Sequence, residues 1–395
     1  AAAIEMTTRV EARLAEWATA AEDRLAAELE ALTGAAPARP LLDRARRLFA
    51  QVLELPRGLG IMTIHALCGS LLRRFPLEAG VAPHFETIDE RTAGEMLEEA
   101  RERMLGAAQR EGGPLGRALD ILAVTLGESS LTEALAELLG QRVRLLRARA
   151  AAGGGTDALI AEIYRGFNAK PGQEPALLEQ AACADGVYDA DGLQAAVRAL
   201  ALGSDKDDER GRMIATWLSS APGDRARLLA DYRRCFLKVD GGPLKSLGTK
   251  KALQDERAAR ALLAEQARLL RLADAIKGLL IARRTEALLR VAFAMIDAYE
   301  RLKEHAAALD YDDLIERTRE LLHRPGKTEW VLFKLDARVD HVLVDEAQDT
   351  SPAQWAIIEK LAEEFFAGAG ARAVARTLFV VGDEKQSIYS FQGAD

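Results

Sequence analysis

The sequence predicts an α/β fold: a parallel sheet interrupted by a large all-helical insertion. Three observations predict it. Apolar, strand-like runs at Val339–Val344 and Thr377–Val381 each lead into acidic residues. Between about Asp89 and Arg301 the pattern is helical almost throughout. Near the start, "GLGIMTIHALCGSLLRRF" reads as a short strand, Gly60 to Ile64, turning into a helix. A strand, a long helical block and then two strands suit one sheet carrying an insertion better than two sequential domains.

Taken in order, residues 1–33 show helical periodicity, with Ile4, Met6, Val10, Leu14 and Trp17 as an apolar stripe. "GAAPARP" (34–40) is a loop, and a second helix runs to about Leu55. The helical block breaks at "GGPLG", "AAGGGTD", "AKPGQEP" and "LGSDKDDERG". These breaks share neither length nor content, so no repeat is expected. The domains expected are 1–88 and 301–395 as the two parts of the sheet domain, with 89–300 as the insertion.

Composition narrows the function. The chain is 49% hydrophobic but only 5% aromatic, with a net charge of −8, so it is no whole-surface nucleic-acid binder; any such contact must be local. Cys68, Cys183 and Cys235 lie far apart without a CxxC pair, which argues against a disulfide framework or zinc site. The five histidines lack metal-ligand spacing. No apolar run approaches the roughly 20 residues that cross a bilayer, and no signal peptide opens the chain. The expectation is a cytoplasmic protein whose start has been cut away.

Chemistry concentrates in "HVLVDEAQDTSPAQW" (341–355). The strand delivers acids at its C-terminal end, where open parallel sheets bind ligands. A nucleoside triphosphatase needs one carboxylate there for Mg²⁺, which prefers few protein oxygens, and a second group to deprotonate or position water. Asp345 and Glu346 meet both needs, as adjacent desolvated acids. Asp349, Thr350 or Ser351 would cap the Pro352 helix. The second run, "TLFVVGDEKQSIYSFQGAD" (377–395), places Gln386 to sense a γ-phosphate. Tyr389 and Phe391 would stack unpaired bases, unless one ring packs into the core.

DEAQD and GDEKQSIYSFQGAD resemble motifs II and III of the UvrD/PcrA/Rep/RecB-type superfamily 1 helicases. "MTIHALCGSLLRRF" resembles that family's T-F-H segment, "LDYDDLIERTRELL" its D-[FY]-D-D-L segment, and "AAAIEMTTRVEARL" the tail of motif Ia. The resemblance covers about the first and last 85 residues. It implies a RecA-like P-loop NTPase domain (1A, incomplete) interrupted by a helical 1B insertion. ATP and Mg²⁺ would be the cofactors, with 3′–5′ translocation on single-stranded DNA. It assigns Asp345 to the metal, Glu346 to water activation and Gln386 to nucleotide coupling. Thr63, His65, Tyr389 and Phe391 would touch DNA. One departure is Gln392, where the family often has Arg.

Within the family, the long insert, the FQGAD ending and "CFLKVDGGPLKSLGTKK" (235–251) look most like the AddA helicase–nuclease subunits of double-strand break repair. That likeness implies two partners, duplex-end DNA and an AddB-like protein. Lys238, Lys245, Lys250 and Lys251 would contact a phosphate backbone or form a solvated loop. The Gly-rich loop ending GK[ST] is not found: "RPGKTEW" lacks the earlier Gly and follows a helix, so Gly326 reads as a helix end. The true loop is expected upstream of Ala1, leaving this chain inactive by itself. The rival reading is a non-catalytic DNA-binding or scaffold subunit derived from a helicase.

Overall fold

Apolar spacing, joined at a few helix starts by side-chain capping, underlies the elements of the computed structural model, which describes residues 2–55, 58–153, 155–324, 326, 328–336, 339–366, 376–383 and 385. The chain divides into two compact units, one of residues 1–95 with 303–395 and one of Met96–Leu302. The fold is mixed and dominantly helical, with two small parallel sheets among the described residues.

In the first unit, Thr63 caps the helix Ile64–Arg74, its hydroxyl accepting from Ala66 N at 3.2 Å. Residues 60–63 form no strand, so the strand expected at Gly60–Ile64 is a correction. The extended backbone Thr63 needs as a cap (φ −69°, ψ 157°) gave that stretch its strand-like character. The helix buries Cys68, Leu71 and Leu72 against Leu314, Ile315, Leu321 and Leu322 of the helix Tyr311–His323. Ile357 of the helix Pro352–Phe366 joins the same core. Each such side chain contributes on the order of 1.5–3 kcal/mol through burial. Burial pushes the Cys68 thiol up to about 11, so it is an inert core group.

Strand β1 (Glu86–Thr87) pairs in parallel with β2 (Ala308–Leu309), two residues each. Strand β3 (His341–Val344) pairs in parallel with β4 (Thr377–Val380), in the register Val342↔Leu378 and Leu343↔Phe379. The side chains of Leu343 and Phe379 share a face and are 71% and 60% exposed. At the chain's start, helices Glu22–Thr33 and Arg39–Leu53 enclose Leu25, Leu29, Leu42 and Ala45, with Trp17 against them. The apolar stripe expected of residues 1–33 is only half buried: Leu14 is covered, whereas Ile4, Met6 and Val10 are exposed.

The second unit is built along one helix, Glu256–His305, whose last three residues belong to the first unit. Its largest core holds the stacked pair Trp217 and Tyr232, with centroids 4.0 Å apart. Tyr232 donates to Glu265 at 2.8 Å, and Glu265 is neutralised by Arg268 at 2.6 Å. The basic stretch turns back on itself through a Leu237–Pro243 bridge. Gln266 Nε2 pins both arms, donating to Phe236 O at 2.8 Å and Leu244 O at 3.0 Å. Lys238, Lys245, Lys250 and Lys251 are exposed on it. No described helix is long and apolar enough to cross a membrane.

Candidate functional site

The β3–β4 ladder continues one step past the strands. Val381 N donates to Val344 O and Ala347 N to Val381 O, both at 2.9 Å. The two strand ends, 345–346 and 382–383, therefore emerge side by side. Asp345 and Glu346 are both exposed, which corrects the expectation of desolvated acids: they lie at the rim of the ladder. Asp345 Oδ1 accepts from Glu346 N at 3.1 Å. Its Oδ2 has no partner among the described residues, and one carboxylate of this kind fits Mg²⁺, which keeps water and phosphate oxygens as its other ligands. No group of three or more His, Cys, Asp or Glu able to hold a metal occurs among the described residues.

Glu346 takes a left-handed backbone, φ 52° and ψ 45°, which costs a non-glycine residue about 1–2 kcal/mol. Strain of that kind collects at functional positions. Two amide contacts hold the turn. Gln348 Nε2 donates to Glu346 Oε2 at 2.5 Å, and Gln348 Oε1 accepts from Asp383 N at 3.0 Å. One side chain thereby ties the acid at the end of β3 to the backbone beyond β4. A Cβ at position 382 would lie 2.8 Å from Gln348 Oε1 and 3.1 Å from the Ala347 Cβ, so Gly382 is required by close approach.

Ser351, one of three caps expected for the next helix, serves in a reciprocal pair with Gln354: Ser351 N donates to Gln354 Oε1 at 2.9 Å and Gln354 N to Ser351 Oγ at 3.4 Å. The capping residues thus leave Asp345 and Glu346 to another use.

A second cluster gathers Thr63 and His65. Thr63 is exposed and caps its helix, while His65 is half-buried in the first turn. The His65 ring meets Tyr311 edge-on, with centroids 5.1 Å apart and planes at 60°. Burial lowers the pKa of His65, and the Asp312 carboxylate partly opposes it. Beneath Tyr311, Asp310 caps the helix in a reciprocal box with Asp313. Both acids receive the buried ammonium of Lys303, at 3.1 and 2.6 Å.

Sequence reasoning missed Gln348, Gly382, Tyr311 and Lys303. The first two had a readable signal, an amide two places past an acid and a glycine at the other strand end. Lys303 had none, because its role depends on burial. Gln386, Tyr389 and Phe391 lie outside the described residues.

A sequence model of the UvrD/REP helicase N-terminal domain matches residues 1–395. Over 101 residues the chain is 39% identical to an ATP-dependent helicase/nuclease subunit of Natranaerobius thermophilus, covering 26% of this chain and 7% of that protein. Over 97 residues it is 38% identical to the ATP-dependent DNA helicase PcrA of Staphylococcus epidermidis and of Staphylococcus aureus, covering 25% of this chain and 12% of those proteins. The matched stretches are thus a small part of each relative's length. With its match running the whole length of the chain, this protein belongs to the UvrD/REP helicase N-terminal domain family.

Proposed function

We propose that this chain supplies the metal-binding and water-activating side of an ATP-driven motor acting on single-stranded DNA. The observation that carries the reading is the rim of the β3–β4 ladder. There Asp345 and Glu346 stand at a parallel strand end, and Gln348 ties Glu346 to the chain beyond β4. Asp345 would hold Mg²⁺, which supplies charge neutralisation for the phosphates when bound. Glu346, oriented by Gln348, would take the proton of the attacking water. Gln386 would report the γ-phosphate, and Thr63, His65, Tyr389 and Phe391 would line the strand. In this reading the first unit is RecA-like domain 1A and the second its 1B insertion. The exposed lysines of 238–251 would face a phosphate backbone.

Likeness to a bacterial helicase/nuclease protein supports an AddA-like role in double-strand break repair, in the cytoplasm, with an AddB-like partner and 3′–5′ movement. The test is ATP turnover. This chain by itself should hydrolyse ATP undetectably, because phosphate binding rests on a Gly-rich loop that its sequence does not contain. A protein carrying both that loop and this chain should show ATPase activity stimulated by single-stranded DNA, lost on Glu346→Gln. Vigorous hydrolysis by this chain by itself overturns the assignment. Unchanged turnover in the Glu346→Gln protein overturns the base assignment, and no turnover in the unsubstituted protein favours the non-catalytic, DNA-binding alternative.

A further inference from the structure

We propose that the solvent face of the helix Arg39–Leu53 is a contact for the phosphate backbone of DNA, an inference that rests on the reading of this chain as part of a DNA motor. The helix carries four arginines (Arg39, Arg44, Arg46 and Arg47) and one acid, Asp43, in a chain whose net charge is −8. Leu42, Ala45 and Val52 turn its apolar side inward. At 3.6 residues per turn, Arg44, Arg47 and Gln51 fall on the opposite side. All three are exposed, and Arg46 is half-buried on the flank. Arg39 is paired, with Glu22 at 2.7 Å and Asp43 at 3.7 Å. Arg44, Arg46 and Arg47 have no hydrogen bond, ion pair or ring contact among the described residues.

The acids of the two preceding helices have cations of their own: Glu16 and Glu28 are each met by both Arg13 and Arg24, at 3.3–3.9 Å. In the second unit, the helix Arg142–Ala151 shows the other use of the same composition. It too carries four arginines, but Arg149 pairs with Asp297 at 2.9 Å and lies over the Phe293 ring, and Arg142 lies over the Tyr299 ring. Those side chains hold a fold together. Arg44 and Arg47 do the reverse, because like charges three residues apart on a helix repel. An arriving anion turns that repulsion into attraction. The planar guanidinium forks match phosphate oxygens in pairs. A nucleic-acid backbone offers such anions in series, so neighbouring arginines can each meet one without reading the sequence. Local basic surface of this kind is what an acidic chain needs in order to hold a polyanion.

The test compares the full chain with two double variants, Arg44→Gln with Arg47→Gln and Arg44→Lys with Arg47→Lys, by fluorescence anisotropy over a roughly fourfold range of salt. The probes are a mixed-sequence single strand, the same sequence as a duplex, a methylphosphonate single strand whose backbone is neutral, and poly-L-glutamate. Losing two phosphate contacts should reduce the slope of log affinity against log salt by about 1.4 on the single strand and about 1.8 on the duplex. The deficit of the Gln variant should therefore shrink roughly 7- to 12-fold from the lowest salt to the highest. The Lys variant keeps the charge and should hold the parental slope. On the methylphosphonate strand all three proteins should bind alike. A reduced slope on one DNA probe alone shows whether the face serves single strand or duplex. Unchanged slopes on both overturn the proposal and leave the motor reading intact. So does a deficit that persists on the neutral strand, or a loss confined to poly-L-glutamate, which would mark an acidic protein as the partner. Relief of repulsion means that the Gln variant should melt no lower than the parent; lower melting in both variants would assign the arginines to the fold and overturn the proposal. Absence of any DNA binding by the parent overturns both the proposal and the motor reading.

Discussion

Two acidic clusters in the first unit look alike in sequence, DYDD at 310–313 and DEAQD at 345–349, yet they are built in opposite ways. In the first, Asp310 and Asp313 are drawn inside and matched by Lys303 with side chains 3–14% exposed. In the second, Asp345 and Glu346 stay in water, oriented by a backbone N–H and the Gln348 amide. The difference lies in the counter-charge. A carboxylate that arrives with its cation is spent on holding the fold, whereas one held by neutral donors keeps its charge for an incoming ligand. Burial makes the first arrangement obligatory, since an unmatched buried charge is far more costly than an exposed one.

The largest effect should come from breaking the matched cluster. Lys303→Met takes the ammonium away from the buried Asp310 and the partly buried Asp313 carboxylates and should destabilise the first unit by about 3–5 kcal/mol. Urea unfolding, with amide exchange read across 311–322, measures it; an unchanged unfolding midpoint would contradict the charge explanation.

Altering the exposed cluster should leave stability nearly untouched and strike activity. In a protein containing the whole nucleotide site, Glu346→Gln should lower turnover by about 10²–10⁴-fold, the span of a general base, with ATP binding largely kept. Asp345→Ala should weaken Mg²⁺-dependent ATP binding as well. Steady-state kinetics with Mg²⁺ titration separate the two.

Gln348→Ala sharpens the same point more gently. It frees Glu346 and the Asp383 N–H, and removing a hydrogen bond to a charged group amounts to about 1.5–3 kcal/mol. Turnover should fall by roughly 10- to 100-fold, with a smaller change in the KM for ATP. A fall in KM-dependent binding alone would place Gln348 outside the catalytic step.

The smallest effect is electrostatic. His65 should titrate below its ordinary value, and Asp312→Asn should lower it further by removing the charge that favours the imidazolium. Because the folded value is depressed, the unfolded chain takes the proton more readily. The stability contribution is therefore present above the unfolded value near 6.5 and lost as pH falls through the folded one. Proton NMR of the imidazole follows this directly.

How much of this was readable beforehand follows from range. Strands β3 and β4 and the acids at their ends were legible because apolar runs and turn chemistry are local. Ser351 as a cap was legible for the same reason. The β1–β2 pair was not: two residues show no alternation, and Glu86 meets Ala308 only after the whole second unit has been threaded. Gly60–Ile64 misled because a capping threonine and a strand residue share one backbone region. The exposure of Asp345 and Glu346 was misjudged since depth is a property of the assembled sheet. Lys303, one of two lysines in its helix, became identifiable only through the two acids that surround it.

The helix Glu256–His305 bears on how the second unit comes apart. Its residues enter the core with Trp217 through Leu262 and Leu269, and the core with Tyr164 through Leu279 and Ala282. Val291, Phe293 and Tyr299 then enter three more. At 1.5 Å per residue this is a rod of about 75 Å, and every one of these cores loses a wall if it frays. Local opening is therefore suppressed along the rod, and its amides should exchange with solvent as one cooperative block. The unit would behave mechanically as a single stiff spar whose loops and shorter helices can loosen while the spar persists until global unfolding.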